Sequence, residues 1–164
     1  MKRSYLISLI LLVLLQVALF NHLHLFDAIN PMIYLLFFMI YPFENSQTLL
    51  IGLSFLLGFV IDFLSQTGGA HTIATLTSGF LRPLIIRNTF GVTIETPQSF
   101  FSDIRKLNQY LFIIVLVAIH HLIYFILAYF SWNSLGLILK NTFLTMIFSL
   151  ILMGVALSFY PRKK

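Results

Sequence analysis

The sequence predicts an all-α protein, a polytopic bundle of transmembrane helices with about six spans and both termini cytoplasmic. Three observations lead there. Of 164 residues, 59% are hydrophobic and 9% are charged, with a mean hydropathy of +0.96. Soluble domains carry about 25% charged residues, so no ordinary water-facing surface can be built from this inventory. The apolar residues fall into runs near the roughly 20 residues that one membrane crossing needs. Finally, the basic residues stand at Lys2, Arg3, Arg82, Arg87, Arg105, Lys106, Lys140 and Arg162 to Lys164, which are chain ends and segment boundaries. Despite the net charge of +5, that distribution reads as topology signals and contact with anionic lipid, with no nucleic-acid-binding stripe. Residues 1–164 are expected to form a single integral membrane domain.

The first span is read over residues 4–20. Lys2-Arg3 before an apolar core also suits a signal peptide. The core is long, however, and Val17-Ala18-Leu19-Phe20 lacks an A-x-A-like cleavage site, so a retained span is expected. Asn30-Pro31 opens a short second span, 31–41, closed by Pro42; proline suits a helix start, where its missing N–H would be unpaired anyway. A polar turn leads to a third span over 49–64, and Ser65–Gly69 turns the chain into a fourth over 70–86. Pro83 inside that span should kink or end its regular helix. Arg87–Gln109 is the one substantial loop; Phe100, Ile104 and Leu107 recur there at helical spacing, as either a surface-lying amphipathic helix or a solvated linker. The fifth and sixth spans are read over 110–130 and 144–160. The Lys/Arg clusters before the first span, after the fourth and after the sixth share one side only if even numbers of spans separate them. Six spans satisfy this; five follow if 31–41 does not cross.

The polar residues inside these spans are the candidates for chemistry. A charge at the centre of a membrane helix costs about 2.5–3.5 kcal/mol on insertion scales, so it usually faces protein and marks function. In the third span Ser54, Gly58, Asp62 and Ser65 share one helix face, which suits either a helix–helix packing seam or a stripe around a functional carboxylate. Folding spans three and four back around Thr67 leaves Asp62 and Arg82 about 15 Å apart along the bundle, too far for an ion pair. Asp62 is instead expected to meet His71, Thr72 or Thr75, and Arg82 to snorkel or meet the Glu44-Asn45 turn. His120 and His121 are adjacent and point about 100° apart, so they do not form a metal pair and are expected to hydrogen-bond between helices. The chain has no cysteine and no G-x-S-x-G, H-E-x-x-H or Walker motif. Of five carboxylates only Asp62 is plainly at membrane depth, so no enzyme, metal or cofactor is expected.

The hairpin containing Gly58, Asp62, Gly68, Gly69 and His71, followed by Arg82-Pro83, resembles that of the MreD family of rod-shape-determining membrane proteins. The chain length, the early Asn30-Pro31 before a short aromatic span and the basic tail after the last span also fit. The chain departs from the family at Gly68-Gly69-Ala70, where a proline-containing turn is commoner. The resemblance implies a non-catalytic, multi-pass protein of the cell inner (cytoplasmic) membrane. Such a protein binds MreC, and through it RodA, a penicillin-binding transpeptidase and MreB, in support of peptidoglycan synthesis and rod shape. It also implies a helical arrangement like that of the substrate-binding S-components of vitamin transporters, with Asp62 and Arg82 as parts of a pocket or its relics. A small-molecule-binding transporter subunit is therefore the alternative. Against it, span one carries only Ser8 and Ala18 as small residues for coupling.

Overall fold

The structure, a computed structural model, describes residues 2–23, 29–91, 100 and 106–159, with side chains from residue 5 onward. Six α-helices and no strand occur among the described residues: α1 (Lys2–Ala18), α2 (Phe37–Ile40), α3 (Gln47–Ser65), α4 (Ala70–Phe90), α5 (Lys106–Tyr129) and α6 (Leu135–Ser158). Four segments are long and apolar enough to cross a membrane: Tyr5–His22, Gln47–Ser65, Lys106–Tyr129 and Trp132–Ser158. Their outward faces are apolar, as Phe55, Phe59, Phe63, Phe143 and Ile151 show, and the polar side chains turn inward. That is the distribution lipid requires, because no water is available there to solvate an outward polar group.

The chain passes back and forth along the bundle. Tyr5 near the start of α1 lies edge-on to Tyr41, with ring centroids 5.3 Å apart. Near the other end of α1, Gln16 bonds the Pro31 carbonyl and the Ile33 amide at 3.1 and 2.9 Å. Residues 31–41 therefore run antiparallel to α1, from its end back to its beginning. The α3 C-terminus returns to the α1 end, where Asn21 donates to Ser65 at 2.6 Å. Phe90, at the end of α4, meets Phe43 and Phe112 at the opposite end. Tyr129 and Asn141 join the far ends of α5 and α6. The start of α1 and the end of α6 consequently lie at one end of the bundle, together with Arg87 and Lys106, and Lys140 lies toward the other.

The second predicted span takes a different form. Ile33–Leu36 is a 3-10 turn of four residues that continues into the four-residue α2, together rising about 14 Å, half a bilayer core. Tyr34, Leu35, Phe37, Phe38 and Met39 are fully enclosed by the surrounding helices. Residues 31–41 thus form the aromatic interior of the bundle, with only Ile40 partly exposed. Other boundaries also moved. Helix α6 begins at Leu135, well before residue 144, with Lys140 exposed on its surface. The proposed surface helix rests on 92–99 and 101–105, outside the described residues, and Leu107 already belongs to α5.

Pro83 does not end α4, which runs on to Phe90. Proline has no N–H to give to the carbonyl four residues earlier, that of Gly79. The Gln47 side chain supplies the missing donor, with Nε2 2.8 Å from the Gly79 oxygen. Gln47→Leu is expected to cost about 1 kcal/mol, read as a lower unfolding midpoint in detergent. The same change in a Pro83→Ala background should cost almost nothing, because the helix then makes its own bond.

Candidate functional site

The polar groups of the interior gather at two levels. At the α3–α4 turn, Gln66 adopts a left-handed conformation (φ 55°), as do Gly68 (φ 67°) and Gly69 (φ 95°). Two consecutive glycines accept this geometry without the clash a Cβ would bring, and the turn needs no proline. Its effect is to aim the first amides of α4 at Asp62, one turn before the end of α3. Asp62 Oδ1 accepts from the Thr67 hydroxyl and, at 3.1 Å, from the His71 amide. Oδ2 accepts from the Thr72 amide at 2.6 Å and the Thr72 hydroxyl at 2.5 Å. A carboxylate from one helix thereby caps the N-terminus of the next, satisfying orphan amides at the positive end of its dipole. Thr75, also expected as a partner, bonds back to the His71 carbonyl at 2.7 Å.

Below the cap, α3 and α4 touch at Gly58. A Cβ built there would lie 2.5 Å from Thr72 Cα and 2.6 Å from the His71 oxygen. Ser54, Gly58 and Asp62 of the expected stripe thus face α4, whereas Ser65 turns to Asn21, and close backbone approach is what holds the two amides within reach of the carboxylate.

Arg82 and Pro83 stand apart from this cluster, eleven residues or about 16 Å further along α4. Arg82 is 2% exposed and does not snorkel. Its guanidinium donates to the carbonyls of Phe38, at 3.1 Å, and Tyr41, and lies over the Phe43 ring, 4.8 Å from its centroid. These carbonyls belong to the last turn of α2 and have no helical donors. Arg82 is the C-terminal cap of the buried short helix; the expectation that it meets the Glu44-Asn45 turn is corrected accordingly.

A second polar layer joins the 3-10 turn Ile33–Leu36 and the residue before it to α4, α5 and α6. The Tyr34 hydroxyl sits between two imidazoles, 2.7 Å from His71 Nδ1 and 3.0 Å from His120 Nε2. His121 Nε2 lies 3.1 Å from Ser149 Oγ, which accepts from the Met32 amide at 2.9 Å. Both histidines of the adjacent pair bond across helices, through different partners. Among the described residues no group of three or more His, Cys, Asp or Glu side chains is placed to hold a metal. Sequence reasoning missed Tyr34, Gln16, Tyr124 and Ser149. Gln16 carried a usable signal, as the one amide in an apolar first span; Tyr34 sits in an aromatic run indistinguishable from lipid-facing surface.

Between the two levels a cavity of about 410 Å³ opens at the α3–α4 turn, lined in part by Gln16, Asn21, Ser65, Gln66, His71 and Tyr124. Of the sequence candidates, His71 lines it; Gly58, Asp62, Gly68 and Gly69 shape the hairpin beside it; Arg82 and Pro83 do not approach it. Comparison of the chain with family models, curated proteins and solved structures finds no match.

Proposed function

We propose that this chain is a non-catalytic membrane scaffold of the bacterial elongation machinery, MreD-like in role. In this reading it lies in the cytoplasmic membrane with both termini on the cytoplasmic side. It holds MreC, and through it RodA, a penicillin-binding transpeptidase and MreB. The observation that carries the reading is the engagement of Asp62. Its two oxygens take four donors from the chain's own hairpin, so the carboxylate that stood out in the sequence is committed to fixing α3 against α4. Arg82 is likewise committed to α2. A rigid bundle with apolar outward faces is what a bitopic partner helix needs to dock against within lipid.

Co-purification tests this. The tagged chain, extracted in mild detergent, is expected to bring down MreC in near-equal amount, with RodA and its transpeptidase at lower yield. Recovery of a transporter's energy-coupling subunits without MreC would replace the scaffold with the S-component-like alternative.

A further inference from the structure

The cavity at the α3–α4 turn holds one feature that the scaffold reading leaves unused. His71 is 3% exposed, lines the cavity, and has its Nδ1 bound to Tyr34. Its Nε2 has no partner among the described residues and is not among the sealed, unpartnered atoms, whereas His120 Nδ1 is. Nε2 is therefore the atom His71 turns to the cavity.

The protonation of that atom follows from the Tyr34 bridge. A hydroxyl has one proton, so one flanking imidazole must accept from Tyr34 and the other must donate to it. If Tyr34 donated to His120, the proton of His120 would sit on Nδ1, a sealed N–H with no acceptor. If Tyr34 donates to His71, only a lone pair is stranded on His120, and buried unpaired acceptors are better tolerated than unpaired N–H groups. The 2.7 Å separation on the His71 side is also the length of an O–H···N bond, and the Met32 thioether 3.6 Å from the hydroxyl is a weak competitor. His71 Nδ1 then accepts, and its Nε2 carries the hydrogen. The buried bridge sets a donor at the cavity wall.

Amides and hydroxyls of Gln16, Asn21, Ser65 and Gln66 stand with the Tyr124 ring and the His22 imidazole, and among the described residues no Lys, Arg, Asp or Glu contributes to the lining. The nearby carboxylate of Asp62 is saturated by its own donors and would repel an anion. The volume falls within the range of about 300–1,000 Å³ for small-molecule sites. We propose that this cavity binds a small uncharged molecule bearing carbonyl or hydroxyl oxygen, which accepts the hydrogen bond from His71 Nε2–H. The proposal stands independently of the scaffold reading, since a scaffold subunit can bind such a molecule and a transporter subunit must.

The test is nitrogen-15 NMR of histidine-labelled full chain in nanodiscs, titrated with millimolar uracil, nicotinamide or methyl glucoside as neutral probes and acetate or choline as charged ones. The expected result is His71 protonated on Nε2, with at least one neutral probe shifting that signal. His71→Leu should then weaken the probe about tenfold, the equivalent of 1.4 kcal/mol. Should that variant fail to fold, Tyr34→Phe leaves the lining intact and is expected to give mixed His71 tautomers and weaker binding of the same probe. The proposal is overturned if His71 carries its proton on Nδ1, if no neutral probe shifts Nε2, or if acetate or choline shifts it more than the neutral probes do.

Discussion

Asp62→Leu is expected to lower the unfolding free energy by about 4 kcal/mol, as measured by thermal or denaturant unfolding in a fixed detergent. Leucine leaves four donors without their acceptor: two hydroxyls, which can rotate toward nearby carbonyls, and the amides of His71 and Thr72, which cannot. Each stranded buried amide costs about 1–3 kcal/mol, and the loss of a negative group at the start of α4 adds a few tenths more. Asp62→Asn keeps one acceptor oxygen and turns an NH2 toward one of the two amides. Placed opposite His71, the longer of the two amide contacts, it should cost about 1 kcal/mol. On the scaffold proposal, Asn is thus expected to preserve cell shape and MreC binding, and Leu to lose both. Asn failing as completely as Leu, at equal protein level, would show that the charge itself is used.

Gly58→Leu should cost about 3 kcal/mol, at the upper end for overpacked interiors. The reason is that the added atoms meet backbone: Thr72 Cα at 2.5 Å and the His71 oxygen at 2.6 Å from the first carbon alone. Helix α4 must move away, which also withdraws both amides from Asp62, so the two sites should show strong coupling in a double-mutant cycle. Gly52, on the same helix, has nothing within 4 Å of an added Cβ, and Gly52→Ala is expected to leave stability unchanged or slightly raised. Equal tolerance at both positions would contradict the seam.

The hairpin was the most legible part of the sequence. Its stripe at Ser54, Gly58 and Asp62 follows helical spacing, and the pairing of Asp62 with residues near His71 and Thr72 follows from counting back from the turn. The helical, membrane-suited character was also readable, because the long apolar runs carry it whatever the connections do in between. What escaped was set by contacts distant in the chain. Arg82 looked able to snorkel because nothing local shows that carbonyls 41 and 44 residues earlier need a donor. Whether Pro83 would kink or end its helix was not legible because its replacement donor, Gln47, comes from another helix. Tyr34 bridges imidazoles 37 and 86 residues away, a relation no periodicity encodes. The short second segment was legible as a short aromatic pass, but its burial was not, since an aromatic run enclosed by protein and one facing lipid have the same composition.

The central claim is that this bundle serves as a scaffold for cell-wall elongation. Depleting the chain in its host while following cell outline and small-molecule uptake in the same culture tests it most directly. The scaffold reading predicts that rods widen and become round within a few generations while vitamin uptake is unchanged. Cells that stay rod-shaped and lose uptake of one nutrient would contradict it.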